Sequence, residues 1–301
     1  MNCRICGCSK KFQSVRADFV YGGKEFHKFF ECSKCDAIYL NPPLSDNEET
    51  FFYKKEFEKF MSSRAGSDYD WTNAQKHIDS NQENVNRRWK FMADYAKPGM
   101  NLLEIGCSTG FMLDHFKEKG LKVKGIELSD EFVPFLKNRG YEIFLSLEDL
   151  IQAKSQQKFD IITHYFVFEH IRDPFEFLEK SYQLLNKDGW IIMEVPSATD
   201  PLTSLYDIPA FEKFYWSIAH HYYYRPKTIS YILDKLGYEY KIVPEQRYDL
   251  SNHINWMTSG RPGGQGKFDQ FFSKSLTKKY KEDLKSKWVC DTMFVYIKKR
   301  N

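Results

Sequence analysis

Two pairs of cysteines open the chain, Cys3-x-x-Cys6 and Cys32-x-x-Cys35, and four thiolates at that spacing can close a tetrahedral shell around zinc. Such a shell leaves no open position, so the zinc it predicts is structural. The second pair sits inside FFECSKCDAIYL, a β-type run on both sides of the knuckle, as a zinc ribbon requires, and Cys8 is left as a spare thiol. Far downstream, HHYYYRP (His220 to Pro226) sets two imidazoles beside three phenols. A histidine titrating near neutrality is suited to taking a proton from a hydroxyl or from a carbon next to a ketone. Between these, LLEIGCSTGFML (Leu102 to Leu113) reads as an apolar strand, a tight turn and a helix start. Gly106 and Gly110 let the backbone approach a ligand there, and the helix N-terminus offers free N–H groups.

That turn discriminates between two cofactors. A dinucleotide fingerprint wants Gly-x-Gly-x-x-Gly, whereas the turn here is Gly-Cys-Ser-Thr-Gly. Glu104, two residues before the first glycine, would repel a pyrophosphate but suits the ammonium of a methionine moiety, which points to S-adenosylmethionine. Glu127 ends the next strand in KGIELS, where its carboxylate can accept ribose hydroxyls.

The elements that must position these residues are legible in the alternation between residues 100 and 245. The β-type runs NLLEI, LKVKGIEL, YEIFL, FDIITHYF, WIIMEVP and YEYKIV are separated by amphipathic helical patterns such as GFMLDHFKEKG and DPFEFLEKSYQLLNKDG. A parallel sheet covered by helices on both faces follows, with WVCDTMFVYIKK as a seventh strand after a long excursion whose second half, Phe268 to Leu284, is helical in pattern. The chain of 301 residues divides into an expected zinc ribbon (1–45), a helical linker or lid (46–99), a cofactor-binding core (100–249), and an acceptor-side insertion with the last strand (250–301). The Asn-Pro-Pro at Asn41 to Pro43 leaves the ribbon and reads as a rigid turn.

Balanced charge, 44 basic against 41 acidic residues with the basic ones scattered, speaks against nucleic acid as the partner. No apolar run is long enough to span a bilayer and MNCRICGCSK has no apolar leader, so a soluble, cytoplasmic protein with no membrane partner is expected. Five of the seven cysteines lie before residue 36, which places their meaning in spacing rather than in disulfides.

From Leu102 through GIELSDEFV, KFDIITHYFVFEHIRDP and LLNKDGWIIMEVPS the chain resembles the class I S-adenosylmethionine-dependent methyltransferases in order and spacing. With the leading ribbon and the tail it is similar to the bacterial branch containing sugar C-methyltransferases and methyltransferases of surface polysaccharide assembly. The resemblance implies a Rossmann-like seven-stranded sheet plus a small zinc ribbon, and a donor site of Glu104, Gly106, Cys107, Ser108, Gly110, Glu127, Leu128, Ser146, Leu147 and His164. Ser108 stands where the family's middle glycine falls. Ser146 and Leu147 stand where many relatives carry an acid for adenine, with Glu148 displaced by one position.

For the chemistry, the resemblance aligns His221 with a proposed base and His220 with the glutamate that precedes it, while Ile218 replaces a tyrosine found in some relatives. His170, after the fourth strand, and Tyr222 join His221 as catalytic candidates. His220, Tyr224, Arg247, Asn252, His253 and Trp256 are the acceptor-side candidates, Arg247 for a phosphate or carboxylate and Trp256 for a ring; the stretch EQRYDLSNHINW that carries the last four reads equally as a solvated loop over the active-site rim. Quinone-type O-methyltransferases hold a divalent metal with Glu-x-x-Glu-His, and here Phe166 takes the first of those positions, which argues against metal-assisted transfer. The resemblance thus implies methyl transfer to a small carbohydrate, nucleotide-linked or phosphorylated, with oxygen favoured over carbon because the Glu-His pair is altered. Two competing readings are an RNA base methyltransferase with a zinc ribbon and a methyltransferase-like scaffold without catalysis.

Overall fold

The computed structural model describes residues 2–65, 73–154 and 156–300; residues 66–72, within the expected 46–99 segment, lie outside it. Three short strands, β1 (Gln13–Ala17), β2 (Lys28–Cys32) and β3 (Ile38–Asn41), form the antiparallel ribbon carrying the cysteine knuckles. The main sheet uses β4 (Asn101–Ile105), β5 (Lys122–Ile126), β6 (Ile143–Phe144), β7 (Phe159–Tyr165) and β8 (Leu185–Pro196). After a two-residue strand β9 (Tyr222–Tyr223), β10 (Glu239–Glu245) and β11 (Thr292–Lys298) complete it.

The sheet order is β10-β11-β8-β7-β4-β5-β6. The strands from β8 to β6 are parallel, and β11 runs antiparallel between β8 and β10. This is the expected α/β fold with seven strands. The inner strands are apolar throughout because helices cover both faces: Leu102, Leu103, Ile161, Ile162, Ile191 and Ile192 are all buried. Both crossover helices have local reasons to form. Phe111–Glu118 follows a left-handed Gly110, and Pro174–Gln183 starts with proline behind Asp173, whose side chain accepts the N–H groups of Phe175 and Glu176.

Four expectations change. YEIFL pairs only over Ile143–Phe144, and the helix placed at Phe268 begins at Lys274 behind the Ser273 cap. The stretch after the sixth strand, weighed as a loop over the site rim, is a helix, Leu250–Ser259, capped by Asp249 and closed by a left-handed Gly260. Fourth, the ribbon sheet crosses the boundary expected at residue 45. β3 pairs with β9 in the register Tyr39↔Tyr222, so HHYYYRP supplies its fourth strand. Tyr222 and Tyr224 are buried with Cys3, Ile5 and Tyr39 in one core cluster.

From Asp46 the chain runs through Asp46–Phe51, a π-wound Phe52–Glu56 and Phe57–Ala65. Ser45 and Glu48 form a reciprocal capping box at its start. This helical run lies across the ribbon and the strand ends.

Candidate active site

The donor cleft is built from the carboxyl ends of β4 and β5. Gly106 has φ +69°, and a Cβ there would lie 2.5 Å from Val167 Cγ2, so neither the conformation nor the space admits a side chain. Ser108 holds φ +50°, an unusual conformation for a residue with a Cβ. Its N–H donates to Glu127 Oε2 at 2.7 Å, while Leu128 and Ser129 N–H groups donate to Oε1, both at 2.9 Å. Burial raises the Glu127 carboxyl, and these three N–H bonds oppose it. A carboxylate has about four lone-pair sites, so Oε2 keeps one for a hydroxyl.

Glu104 is 2% exposed and, among the described residues, its Oε2 has no hydrogen-bond partner. Burial pushes its carboxyl well up, against the pull of Arg88. An orphaned carboxylate beside a glycine turn fits a cationic ligand group. Arg88 itself is held by Glu194, which is fully buried and takes Arg88 Nε at 2.9 Å and Arg87 Nη1 at 2.7 Å.

Several donor-side candidates lie elsewhere in function. Ser146 caps the helix Leu147–Ala153 by accepting the Asp149 N–H, and Leu147 is buried in the core. Cys107 is buried against Leu113 and Leu136. His164 is a correction: it lies inside the core against Phe168 and Phe177, with neither ring nitrogen partnered, and burial lowers it to about 3.

At the next strand end, the turn Phe168–His170 brings Glu169 and His170 to His220. His170 Nδ1 lies 2.7 Å from the Ala219 carbonyl and 3.0 Å from the Tyr53 hydroxyl, and its Nε2 is 3.9 Å from Glu169 Oε1. The His170 and His220 rings meet edge to face at 4.8 Å. Glu169 is 1% exposed, with Oε2 unpartnered among the described residues, and burial raises it to about 8. Burial likewise lowers His170 to about 4 and His220 well below its usual value. Phe166, at φ +57°, lies under the Arg247 guanidinium at 4.4 Å and turns that arginine toward this end of the sheet.

The remaining acceptor-side candidates separate from this cluster. His221 points to Glu49, Nε2 to Oε2 at 3.2 Å, and Arg4 lies 3.5 Å from its Nδ1. Glu49 also binds Arg172 at 2.6 Å, so His221 belongs to a charged clamp between ribbon, helical run and sheet. Tyr222 and Tyr224 are buried in that seam, their hydroxyls directed at the Arg172 and Phe168 carbonyls at 3.0 and 3.4 Å. Arg247 Nε donates to Asp291 at 3.4 Å. His253 is fully buried between Tyr280 and Gln246, and Asn252 is buried with its Oδ1 unpartnered. Trp256 packs on Phe211 and Phe214 at 4.9 and 5.1 Å, so its ring is core and offers no face to a ligand. Sequence reasoning missed Tyr53, Glu49 and Arg4, which carry no motif, and Glu169 falls there only within the Glu-x-x-Glu-His pattern weighed for a metal.

At the ribbon, the Sγ atoms of Cys3, Cys6, Cys32 and Cys35 lie within 4.8 Å of one another, with Cys3–Cys35 and Cys6–Cys32 at 3.6 Å. Sulfurs around a tetrahedral zinc stand about 3.8 Å apart, so the four fit such an ion. Cys8 approaches Cys32 at 3.3 Å.

A mostly parallel seven-stranded sheet with an antiparallel penultimate strand, a glycine turn after its central strand and an acid after the next define a class I methyltransferase. Residues 76–241 match the family described as methyltransferase domain, and the chain belongs to it, carrying an S-adenosylmethionine-dependent methyltransferase domain. It is 27% identical over 111 residues to the ubiquinone biosynthesis O-methyltransferase of Actinobacillus pleuropneumoniae, covering 34% of this chain and 47% of that protein. The Coxiella burnetii protein of the same name is 28% identical over 96 residues, 30% of this chain and 41% of that one. The chain thus spans about half or less of the curated relatives it matches. The fold also superposes on the magnesium protoporphyrin IX methyltransferase of Synechocystis with bound SAH, at TM-score 0.51 and 14% identity, over 84% of this chain and 98% of that one. Among the described residues no helix is long and apolar enough to cross a membrane.

Proposed function

We propose that the whole chain transfers a methyl group from S-adenosylmethionine to oxygen on a small carbohydrate, nucleotide-linked or phosphorylated, in surface glycan assembly. The observation that carries the transfer is the pairing of two unsatisfied sites across one set of strand ends: the Glu104–Glu127 cleft after β4 and β5, and the Glu169–His170–His220 cluster after β7. When bound, the donor supplies a methyl group on a sulfonium. The chain's own work is to hold and orient. Glu127 fixes the turn through Ser108 and keeps a lone pair for a ribose hydroxyl, and Glu104 offers its free oxygen to an ammonium. Tyr53 and Ala219 fix the His170 ring, and Arg247, stacked on Phe166 after the same strand, is the cation available to a phosphate of the acceptor.

Oxygen as the receiving atom agrees with the O-methyltransferase names of the relatives, and the carbohydrate rests on the resemblance of the whole chain, ribbon included. The ribbon zinc would be structural: it would hold β3, and through β9 the chain that carries His220. The test is incubation with methyl-labelled S-adenosylmethionine and, in parallel, nucleotide-sugar pools, a hydroxylated quinol and total RNA. Label on a sugar oxygen is expected. Label on the quinol or RNA overturns the acceptor, and no label with no donor binding overturns the transfer.

A further inference from the structure

An imidazole whose one nitrogen is tied up by its surroundings offers a bare lone pair at the other, which is a good metal ligand. We propose that Glu169, His170 and His220 form a second metal site, one that takes a single divalent transition cation of the zinc class.

The geometry carries this in three parts. One ligand atom from each of the three residues lies within 4.8 Å of the other two. Ligand atoms at most that far apart are brought to a common centre at about 2.1 Å by shifts of under about 1 Å each. Second, polar atoms are free: Glu169 is 1% exposed and its Oε2 has no partner among the described residues, nor has His220 Nδ1, which is shielded from solvent. Leaving a buried carboxyl oxygen and a ring nitrogen unpaired is unfavourable, and one cation would satisfy both. The remaining pair, His170 Nε2 and Glu169 Oε1, stands 3.9 Å apart, too far for a hydrogen bond and close enough to share an ion.

Third, His170 is already prepared. The Ala219 carbonyl, 2.7 Å from Nδ1, can only accept, so Nδ1 carries the hydrogen and Nε2 presents a bare lone pair toward Glu169. A backbone carbonyl that fixes the far nitrogen of an imidazole is the usual second shell of a metal-binding histidine.

Two imidazoles and one carboxylate select a borderline transition cation over magnesium or calcium, which take oxygen shells. Three protein ligands leave open positions, and if the chamber receives the acceptor as proposed above, those positions would take its oxygen. Phe166 supplies no ligand. The third comes from His220, which β9 returns to the end of β7, so no local spacing in the sequence announces the set.

The test is a cobalt(II) titration of the chelator-stripped full chain, with neither donor nor acceptor present. Two cations per chain are expected: one with the thiolate charge-transfer absorption of the ribbon, the other with ligand-field absorption alone. Glu169→Gln and His220→Asn should each weaken the second cation at least 100-fold while keeping the thiolate band. Glu169→Gln puts a neutral amide of the same shape where a carboxyl is buried, so folding is expected to survive, and S-adenosylmethionine binding checks it. One cation per chain in the parent, or a second that persists in both variants, overturns the site. Failure here leaves the label-transfer result untouched, and a negative label experiment leaves the cation count untouched.

Discussion

His220 and His221 are consecutive in the chain and serve different neighbourhoods: the His220 ring meets His170 at 4.8 Å, while His221 Nε2 sits 3.2 Å from Glu49 Oε2. Sequence and resemblance favour His221 as the reactive one, and the geometry favours its neighbour. His170→Ala and His220→Ala are therefore expected to lower kcat about 100-fold, the size of loss that misplacing a positioning group brings, with donor Kd unchanged. His221→Ala should stay within about tenfold of the parent and lose about 1–3 kcal/mol of stability as Glu49 loses a partner. Steady-state kinetics beside urea unfolding separates the two; a dead but fully stable His221→Ala would return the role to His221.

The pair Arg88–Glu194 anchors the helix Gln82–Met92 under the donor cleft. Burial raises the Glu194 carboxyl, but Arg87 and Arg88 outweigh it and bring it down to about 2. A carboxyl lowered on folding adds stability above its unfolded value near 4.3, and loses it as pH falls through the folded one. The parent should lose about 3 kcal/mol between roughly pH 5 and pH 2 from this group. Glu194→Gln should be less stable at pH 7 and have a flatter curve over that window, which denaturant midpoints at a series of pH values will show.

Ser108 and Gly106 make opposite predictions within one turn. Ser108→Gly relieves a left-handed residue and should stabilise by up to about 1 kcal/mol, with donor Kd within threefold. Gly106→Ala forces a Cβ to 2.5 Å from Val167 and should weaken the donor at least tenfold. Calorimetric titration with S-adenosylmethionine decides both, and Glu127→Ala should abolish the binding signal.

Because β3 pairs with β9, the ribbon's integrity reaches the chamber. Cys32→Ser should expose the amides of Tyr222 and Tyr223 to hydrogen exchange and cut turnover at least tenfold, with donor binding kept. Unchanged exchange at those amides would separate the ribbon from the chamber.

Much of this was legible in the sequence. Apolar runs separated by amphipathic helices marked the strands of the main sheet, and Gly106 and Gly110 marked the turn that follows its central strand. Trp256 and His164 misled because an aromatic and an imidazole near strand ends look alike whether they line a cleft or fill a core, and packing places both in the core. The helix Leu250–Ser259 had its signals, Asp249 before it and Gly260 after it, within a stretch otherwise polar enough to pass for loop.

What the sequence determined by itself is whatever depends on near neighbours. Turn conformations, helix caps, strand periodicity and thiolate spacing are set within a few residues of one another. Only the tertiary structure decided which of the two neighbouring histidines meets His170 and that Glu169, His170 and His220 lie together. Those outcomes hang on Tyr39 opposing Tyr222 and on the Ala219 carbonyl meeting His170, pairings between residues far apart in the chain. Such pairings are fixed by the burial of whole faces against each other, a property that no short stretch of sequence contains.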